Sequence, residues 1–138
     1  MTQHPQGLGD TNILIQLEHL APADLPAELL ISAVTLAELA AGVHSAADAA
    51  ERGRRVARLQ RVEAAFSSLP FGTEAARQYG VIAAEVIAMG RKPRRRVADL
   101  MIASVAAASR LPLFTTTPAD FRGLDRILTV VPVAVPVP

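Results

Sequence analysis

The chain has 138 residues, 51% of them hydrophobic and 20% charged, with a formal net charge of +1. That length suits one domain with a substantial core but not two, and the balance is that of a globular rather than a disordered chain. Cysteine is absent, which excludes disulfides, thiolate catalysis and cysteine-bound zinc. No stretch approaches the roughly 18 uncharged apolar residues of a membrane span. The opening MTQHPQGLGD lacks a basic start followed by an apolar segment, so no secretory signal is read there and a cytoplasmic location is expected.

Short apolar runs alternate with helical stretches, the pattern of an α/β domain built on a parallel sheet. A weak first strand is expected around Gly7 to Gly9, then a helix over 12–19, broken by Pro22 and Pro26. A second strand follows over 29–32 and a helix over 36–44, with Thr35 as its N-cap. An arginine-rich helix is expected over 46–66, and 67–71 is extended. The next helix opens at Thr73 and Glu74 and stops at Gly90, whose freedom at positive φ suits a helix end. A nearly all-apolar helix covers 95–110, a strand 113–115, a short helix starts at Pro118, and 127–133 closes the sheet. A single domain over 1–138 is expected. Its tail, 132–138, is extended or frayed, because each proline in PVAVPVP removes a backbone donor.

Four of the thirteen acids stand apart from the polar helix faces that hold the rest. Asp99 lies in VADLMIASVAAA, where only Asp99 and Ser104 are polar. A carboxylate inside such a buried helix requires a cation or an ion pair, and Arg95 or Arg96 would supply the latter. Glu38 sits in SAVTLAELAAG, where Thr35 and Glu38 also have the spacing of a capping box. Asp120 is the third residue after Thr117, with Pro118 at the first helical position, so it too is either a cap residue or a ligand. Asp10 follows the first strand, where it either closes an Asx turn or faces the crevice at which open α/β sheets bind ligands.

Each of these acids falls at a strand-to-helix junction or on the apolar helix, so all four can meet in one crevice. Clustered carboxylates repel and favour hard divalent ions with oxygen ligands, Mg²⁺ or Mn²⁺. Such ions activate water and stabilise the leaving oxygen in an in-line phosphoryl displacement. His4, His19 and His44 show no zinc-ligand spacing, and neither a G-x-x-x-x-G-K loop nor a G-x-G-x-x-G fingerprint occurs. Basic residues cluster at Arg52, Arg54, Arg55, Arg58 and Arg61, and again at Arg91, Lys92, Arg94, Arg95 and Arg96. The first cluster reads as a solvated helix face. The second directly precedes Asp99 and suits bidentate phosphate contacts. Aromatic residues make up only 4% of the chain, which leaves little for base stacking.

GLGDTNILIQL resembles the D-T-N or D-T-S opening of PIN-domain proteins, and ISAVTLAELAAGV their S-x-x-T-x-x-E-L segment. GRKPRRRVADLMIASVA is similar to the stretch carrying their third acid, and LPLFTTTPADFRGL to the one ending in D-F. Order and spacing agree over nearly the whole chain, most closely with bacterial VapC toxins of type II toxin–antitoxin systems. The resemblance implies a PIN-like fold, a central parallel sheet flanked by helices. It further implies Mg²⁺- or Mn²⁺-dependent endoribonuclease activity with Asp10, Glu38, Asp99 and Asp120 as acidic quartet and metal ligands, and Asn12 and Thr115 in support. The implied partners are RNA (tRNA or another structured RNA), a VapB-like antitoxin and a second copy of the chain. Two departures stand out. Only Leu8 is strongly apolar in the first strand, and Thr115, Thr116 and Thr117 replace a family T-R-N, so an arginine is missing. A catalytically silent PIN-like binding module and a DNA-directed or flap-type metal nuclease are the alternative functions.

Overall fold

The computed structural model describes residues 4–136. Its centre is a five-stranded sheet in the order β3-β2-β1-β4-β5, parallel at every pairing. The strands are β1 (Gln6–Gly9), β2 (Glu28–Ser32), β3 (Ser68–Leu69), β4 (Leu113–Thr115) and β5 (Val130–Pro132). The helices are α1 (Thr11–Ile15), α2 (Ala33–His44), α3 (Ala49–Ala65), α4 (Thr73–Ala88) and α5 (Val97–Ala108). Among the described residues, no helix is long and apolar enough to cross a membrane.

Neighbouring strand residues point to opposite faces, and the chain fills both. Leu30 and Leu113 join Leu8 in a core with Ile82 and Val86 of α4 and Leu100, Ile102 and Val105 of α5. Ile31 and Phe114 face the other way, onto Ile13, Leu14, Leu39 and Val62 from α1, α2 and α3. The result is helix–sheet–helix layering, in which each buried Leu, Ile or Phe contributes about 1.5–3 kcal/mol.

The expected α/β architecture is the observed one, with several boundaries corrected. The helix expected over 12–19 ends at Ile15 and tightens into a 3-10 turn at Leu17–His19. There the His19 amide bonds the Gln16 carbonyl at 2.8 Å. Helix α2 begins at Ala33, directly off the strand, with Ser32 as N-cap accepting from the Val34 amide at 3.0 Å. Thr35 is therefore not the cap; it lies inside the helix, fully buried. Helix α3 starts at Ala49 behind Asp48, whose carboxylate accepts from the Glu51 amide at 2.8 Å. Helix α5 spans less than 95–110, because Pro93 opens a separate 3-10 turn over Pro93–Arg95. The stretch at Pro118 is a 3-10 turn, Pro118–Phe121. Strand β5 starts only at Val130, since Ile127 and Leu128 turn back to bond the Leu124 carbonyl. Pro132 sits on this edge strand, where a missing donor is tolerated, and Val133 donates to the Thr115 carbonyl at 2.8 Å instead. Of the expected tail, 133–136 has no regular pairing and 137–138 lies outside the described residues.

Strand β1 explains its own composition. A Cβ on Gly7 would collide with the Phe114 ring and approach Pro26 Cγ to 3.1 Å, and one on Gly9 would stand 3.1 Å from both Ile13 and Leu29. The glycines admit neighbouring apolar groups that a conventional strand would exclude with its own side chains.

Candidate active site

The first crossover carries the chain from β1 out to β2 and β3, and β4 then returns to the other side of β1. At such a reversal the flanking loops diverge and leave a crevice at the carboxyl ends of the strands. Asp10 lies there, immediately after β1, with its amide bonded to the Phe114 carbonyl of β4 at 3.1 Å. Its side chain is 3% exposed and has two fixed donors. The Ile13 amide reaches Oδ1 at 3.1 Å, which makes Asp10 the N-cap of α1. The Thr115 hydroxyl reaches Oδ2 at 2.5 Å. The cap and the crevice position thus coincide in one carboxylate.

Glu38 projects from the second turn of α2. With Ser32 capping the helix, the capping-box role falls away. Instead its carboxylate accepts from the Thr11 hydroxyl at 2.5 Å, and Thr11 also contacts the buried Thr35 hydroxyl at 3.1 Å. Asp99 occupies the first turn of α5. The helix buries Leu100 and the residues from Ile102 to Ala106, but Asp99 itself stands at the mouth with its side chain 33% exposed. The expectation of a carboxylate enclosed within the helix is corrected accordingly. Asp10, Glu38 and Asp99 line one cleft, together with Thr11 and Asn12. Asp120 borders an adjoining pocket with Arg91, Lys92, Arg95 and Arg96. Its amide bonds the Thr117 carbonyl at 3.0 Å, but no Thr117 side-chain cap forms.

Arg96 joins the two pockets. Its guanidinium lies 2.5 Å from Asp120 Oδ1 and 3.6 Å from Asp99 Oδ2. The ion pair considered for Asp99 therefore exists, but one arginine is shared by two acids. Burial pushes the Asp10 carboxyl above the ordinary carboxylate range; the Thr115 hydroxyl and Ile13 amide draw it down, and the Asp99 and Asp120 charges raise it again. Asp99 is raised by burial, then by Asp120 and Glu38, against the opposing pull of Arg96. The acids feel one another, and the local arginine leaves negative charge uncompensated.

That excess, carried entirely on oxygen donors, fits a hard divalent cation. Among the described residues, no three acid or histidine side chains close around an ion by themselves. A Mg²⁺-like ion does not require such a cage, because it retains waters and binds one or two carboxylates plus substrate phosphate.

Of the remaining expected residues, Asn12 is exposed at the cleft wall and Thr115 is fully buried behind Asp10. Arg94 is exposed and borders neither pocket. The sequence gives no sign of a role for Thr11 and offers Thr35 only as a helix cap, whereas the two form the hydroxyl pair beside Glu38. Sequence reasoning also took the α3 arginines for a solvated face, whereas Arg55 and Arg58 line the acid cleft. The i, i+3 spacing of those two arginines was the available signal, since it puts both on one side of the helix.

The fold and sequence have known counterparts. The PIN domain family model matches residues 8–127, and the chain belongs to that family. It is 38% identical over 122 residues to Ribonuclease VapC5 of Mycobacterium tuberculosis, covering 86% of this chain and 87% of that protein. It is 31% identical over 125 residues to Ribonuclease VapC of Rickettsia bellii, covering 86% and 90% respectively. A solved chain of VapBC-5, a member of the VapBC family of toxin–antitoxin systems from Mycobacterium tuberculosis, superposes with a TM-score of 0.81 at 36% identity. That alignment spans 95% of this chain and 99% of the solved one. A chain of VapBC2 from Rickettsia felis, at 23% identity and a TM-score of 0.72 over 91% and 96%, shares the fold.

Proposed function

We propose that the chain is the toxin of a VapBC-type pair, an endoribonuclease that depends on Mg²⁺ or Mn²⁺ and is silenced by a VapB-like antitoxin. The observation that carries the proposal is the meeting of Asp10, Glu38 and Asp99 in one cleft at the sheet's reversal, with Asp120 tied to it through Arg96. VapC ribonucleases as relatives and VapBC complexes as structural neighbours support the same reading.

In this reading the four acids hold the divalent ion, whose charge would make a water acidic and neutralise developing charge on the phosphate. Thr115 and the Ile13 amide fix the Asp10 carboxylate, and Thr11 fixes that of Glu38. Asn12 lies exposed at the cleft wall, open to solvent and to a bound substrate. Arg96 balances Asp99 and Asp120 until substrate and ion arrive. Arg91, Lys92, Arg94 and Arg95 hold backbone phosphates beside it, which positions RNA without reading its sequence. A structured RNA such as tRNA is the substrate, the chain works as a homodimer, and it acts in the cytoplasm.

The test is to incubate the purified chain with tRNA, mRNA and DNA, in Mn²⁺ or in EDTA, beside Asp99→Asn. Manganese-dependent RNA cleavage that the substitution abolishes is expected. DNA cleavage in place of RNA cleavage would move the assignment to a DNA-directed nuclease. No cleavage of any substrate would leave a binding module.

A further inference from the structure

We infer that Arg58 of α3 is a second phosphate-binding residue, lining the acid cleft itself, whereas Arg96 lies in the adjoining pocket, so that the polyanion is held at two separate points about the acids. The inference rests on the nuclease reading above and adds a binding site to it.

Arg55 sets the geometry. Its Nε donates to Glu51 at 2.8 Å, and its Nη1 donates to the Gly42 carbonyl at 2.7 Å and the Ser45 hydroxyl at 3.3 Å. It thereby latches the start of α3 to the end of α2, with three of its five donors engaged in doing so. Arg58 lies three residues on, hence on the same side of the helix. It lines the cleft that contains Asp10, Glu38 and Asp99. It is half-buried, yet no hydrogen bond or ion pair links it to any described residue, in contrast to Arg54, Arg55 and Arg96.

A partly enclosed guanidinium with all five donors unspent, beside an acid cleft, suits one class of ligand. A phosphodiester phosphate accepts its planar fork in bidentate fashion. A divalent ion would be repelled by it. A strand bound at the acids would then meet Arg91, Lys92 and Arg95 in the pocket beside Asp120 and Arg58 in the cleft that holds Asp10, Glu38 and Asp99.

The experiment uses the full chain carrying Asp99→Asn, so that RNA stays intact, and a fluorescently labelled tRNA as probe. Dissociation constants are measured across a range of NaCl concentrations in EDTA. Arg58→Gln should weaken binding about tenfold, the order of a hydrogen bond to a charged group, and lower the magnitude of the salt slope by about 0.7–1. Arg58→Lys, which keeps the charge but loses the fork, should fall between the two. Arg52→Gln removes the same charge from an exposed site on the same helix and should change binding by less than about twofold. Equal effects of Arg58→Gln and Arg52→Gln would reduce Arg58 to net charge and overturn the inference. So would a change in Mn²⁺ affinity, measured on the Arg58→Gln chain with Asp99 intact, in place of the RNA effect, because that marks a countercharge to the acids. If the Asp99→Asn parent shows no salt-sensitive RNA binding, the nuclease reading falls with it. Arg58→Gln should melt with its parent, having no internal bond to lose, and if it does not, Arg58→Lys carries the comparison.

Discussion

Replacing Asp99 with Asn separates a metal-binding role from a structural ion pair, because the two predict opposite changes in stability. If Asp99 served the fold through Arg96, removing its charge would cost stability. The geometry argues against a large cost. The Arg96–Asp99 separation is 3.6 Å, the side chains are 48% and 33% exposed, and solvent screening at such sites leaves about 0–1 kcal/mol per pair. The shorter pair of Arg96 with Asp120 survives the substitution. On the other side, burial, Asp120 and Glu38 all oppose the charge on Asp99, and Asn relieves all three while keeping the shape. Burial and the two neighbouring acids outweigh Arg96, so in EDTA near neutral pH the variant should be as stable as the parent or more so, by up to about 1 kcal/mol. For a chain of this size that is a rise in Tm of up to about 4 °C. In Mn²⁺ the order should invert. Ion at one hundred times its Kd stabilises the parent by about 2.7 kcal/mol, and the variant should lose most of that gain along with at least about 99% of its RNA cleavage. Denaturant unfolding followed by circular dichroism, in EDTA and in Mn²⁺, supplies the four stabilities. A variant destabilised by well over 1 kcal/mol in EDTA, with an undiminished response to Mn²⁺, would refute the reasoning.

Three further outcomes follow from particular contacts. Thr115→Val removes the hydroxyl that donates to Asp10 Oδ2 at 2.5 Å; a lost bond to a charged group costs about 1.5–3 kcal/mol. Mn²⁺ affinity by calorimetry and cleavage should both fall by about tenfold or more, and Thr115→Ser should recover most of each. Gly7→Ala should lower stability by about 1–3 kcal/mol by overpacking against Phe114. Gly80→Ala, on an exposed turn of α4 with no atom near the added methyl, should raise it by about 0.5–1 kcal/mol, so denaturant midpoints should move in opposite directions. Asp10 and Asp99 both hold protons more tightly in the folded chain than when unfolded. The metal-free protein should therefore lose stability as pH rises from the ordinary carboxylate value through their raised folded values. Mn²⁺ binds the deprotonated forms, so its stabilisation should grow over the same window; thermal melts against pH in EDTA and in Mn²⁺ check both slopes.

The chain order of elements and the identity of the acids were legible because both are local signals. Alternation of apolar runs with helical stretches fixes an α/β domain; Asp99 and Glu38 stand out against apolar surroundings, and Asp10 and Asp120 by their place at strand-to-helix junctions. What sequence concealed is tertiary. Ser32 and Thr35 are both good caps three residues apart, and only the strand running directly into α2 decides for Ser32. That decision frees Thr35 to be buried against Thr11, and so turns Glu38 from a capping partner into a carboxylate held at the cleft. The glycines of β1 make a poor strand on propensity, because the groups that fill their space come from Phe114, Ile13 and Leu29, distant in sequence or on another element. Arg58 reads as one more charge on a polar helix until α3 is docked on α2; its i, i+3 spacing from Arg55 puts the two on one side of the helix but does not say what that side faces.

The sheet order supplies the reason these residues meet. In a parallel sheet every strand ends at the same edge, so residues just past β1 and at the end of β4 become neighbours although more than a hundred positions separate them. The bond from Thr115 to Asp10 lies across that seam, and the Asp10 amide bonds to Phe114 beside it. The orientation of the first acid therefore depends on β4 as much as on its own strand. The sparse side chains of β1 follow from the same cause: β1 is the central strand, and Gly7 and Gly9 let Phe114 of β4 and Leu29 of β2 close over it from either side. A weak strand by composition is thus a strongly determined one by position, and the acid it presents is held by its neighbours rather than by itself.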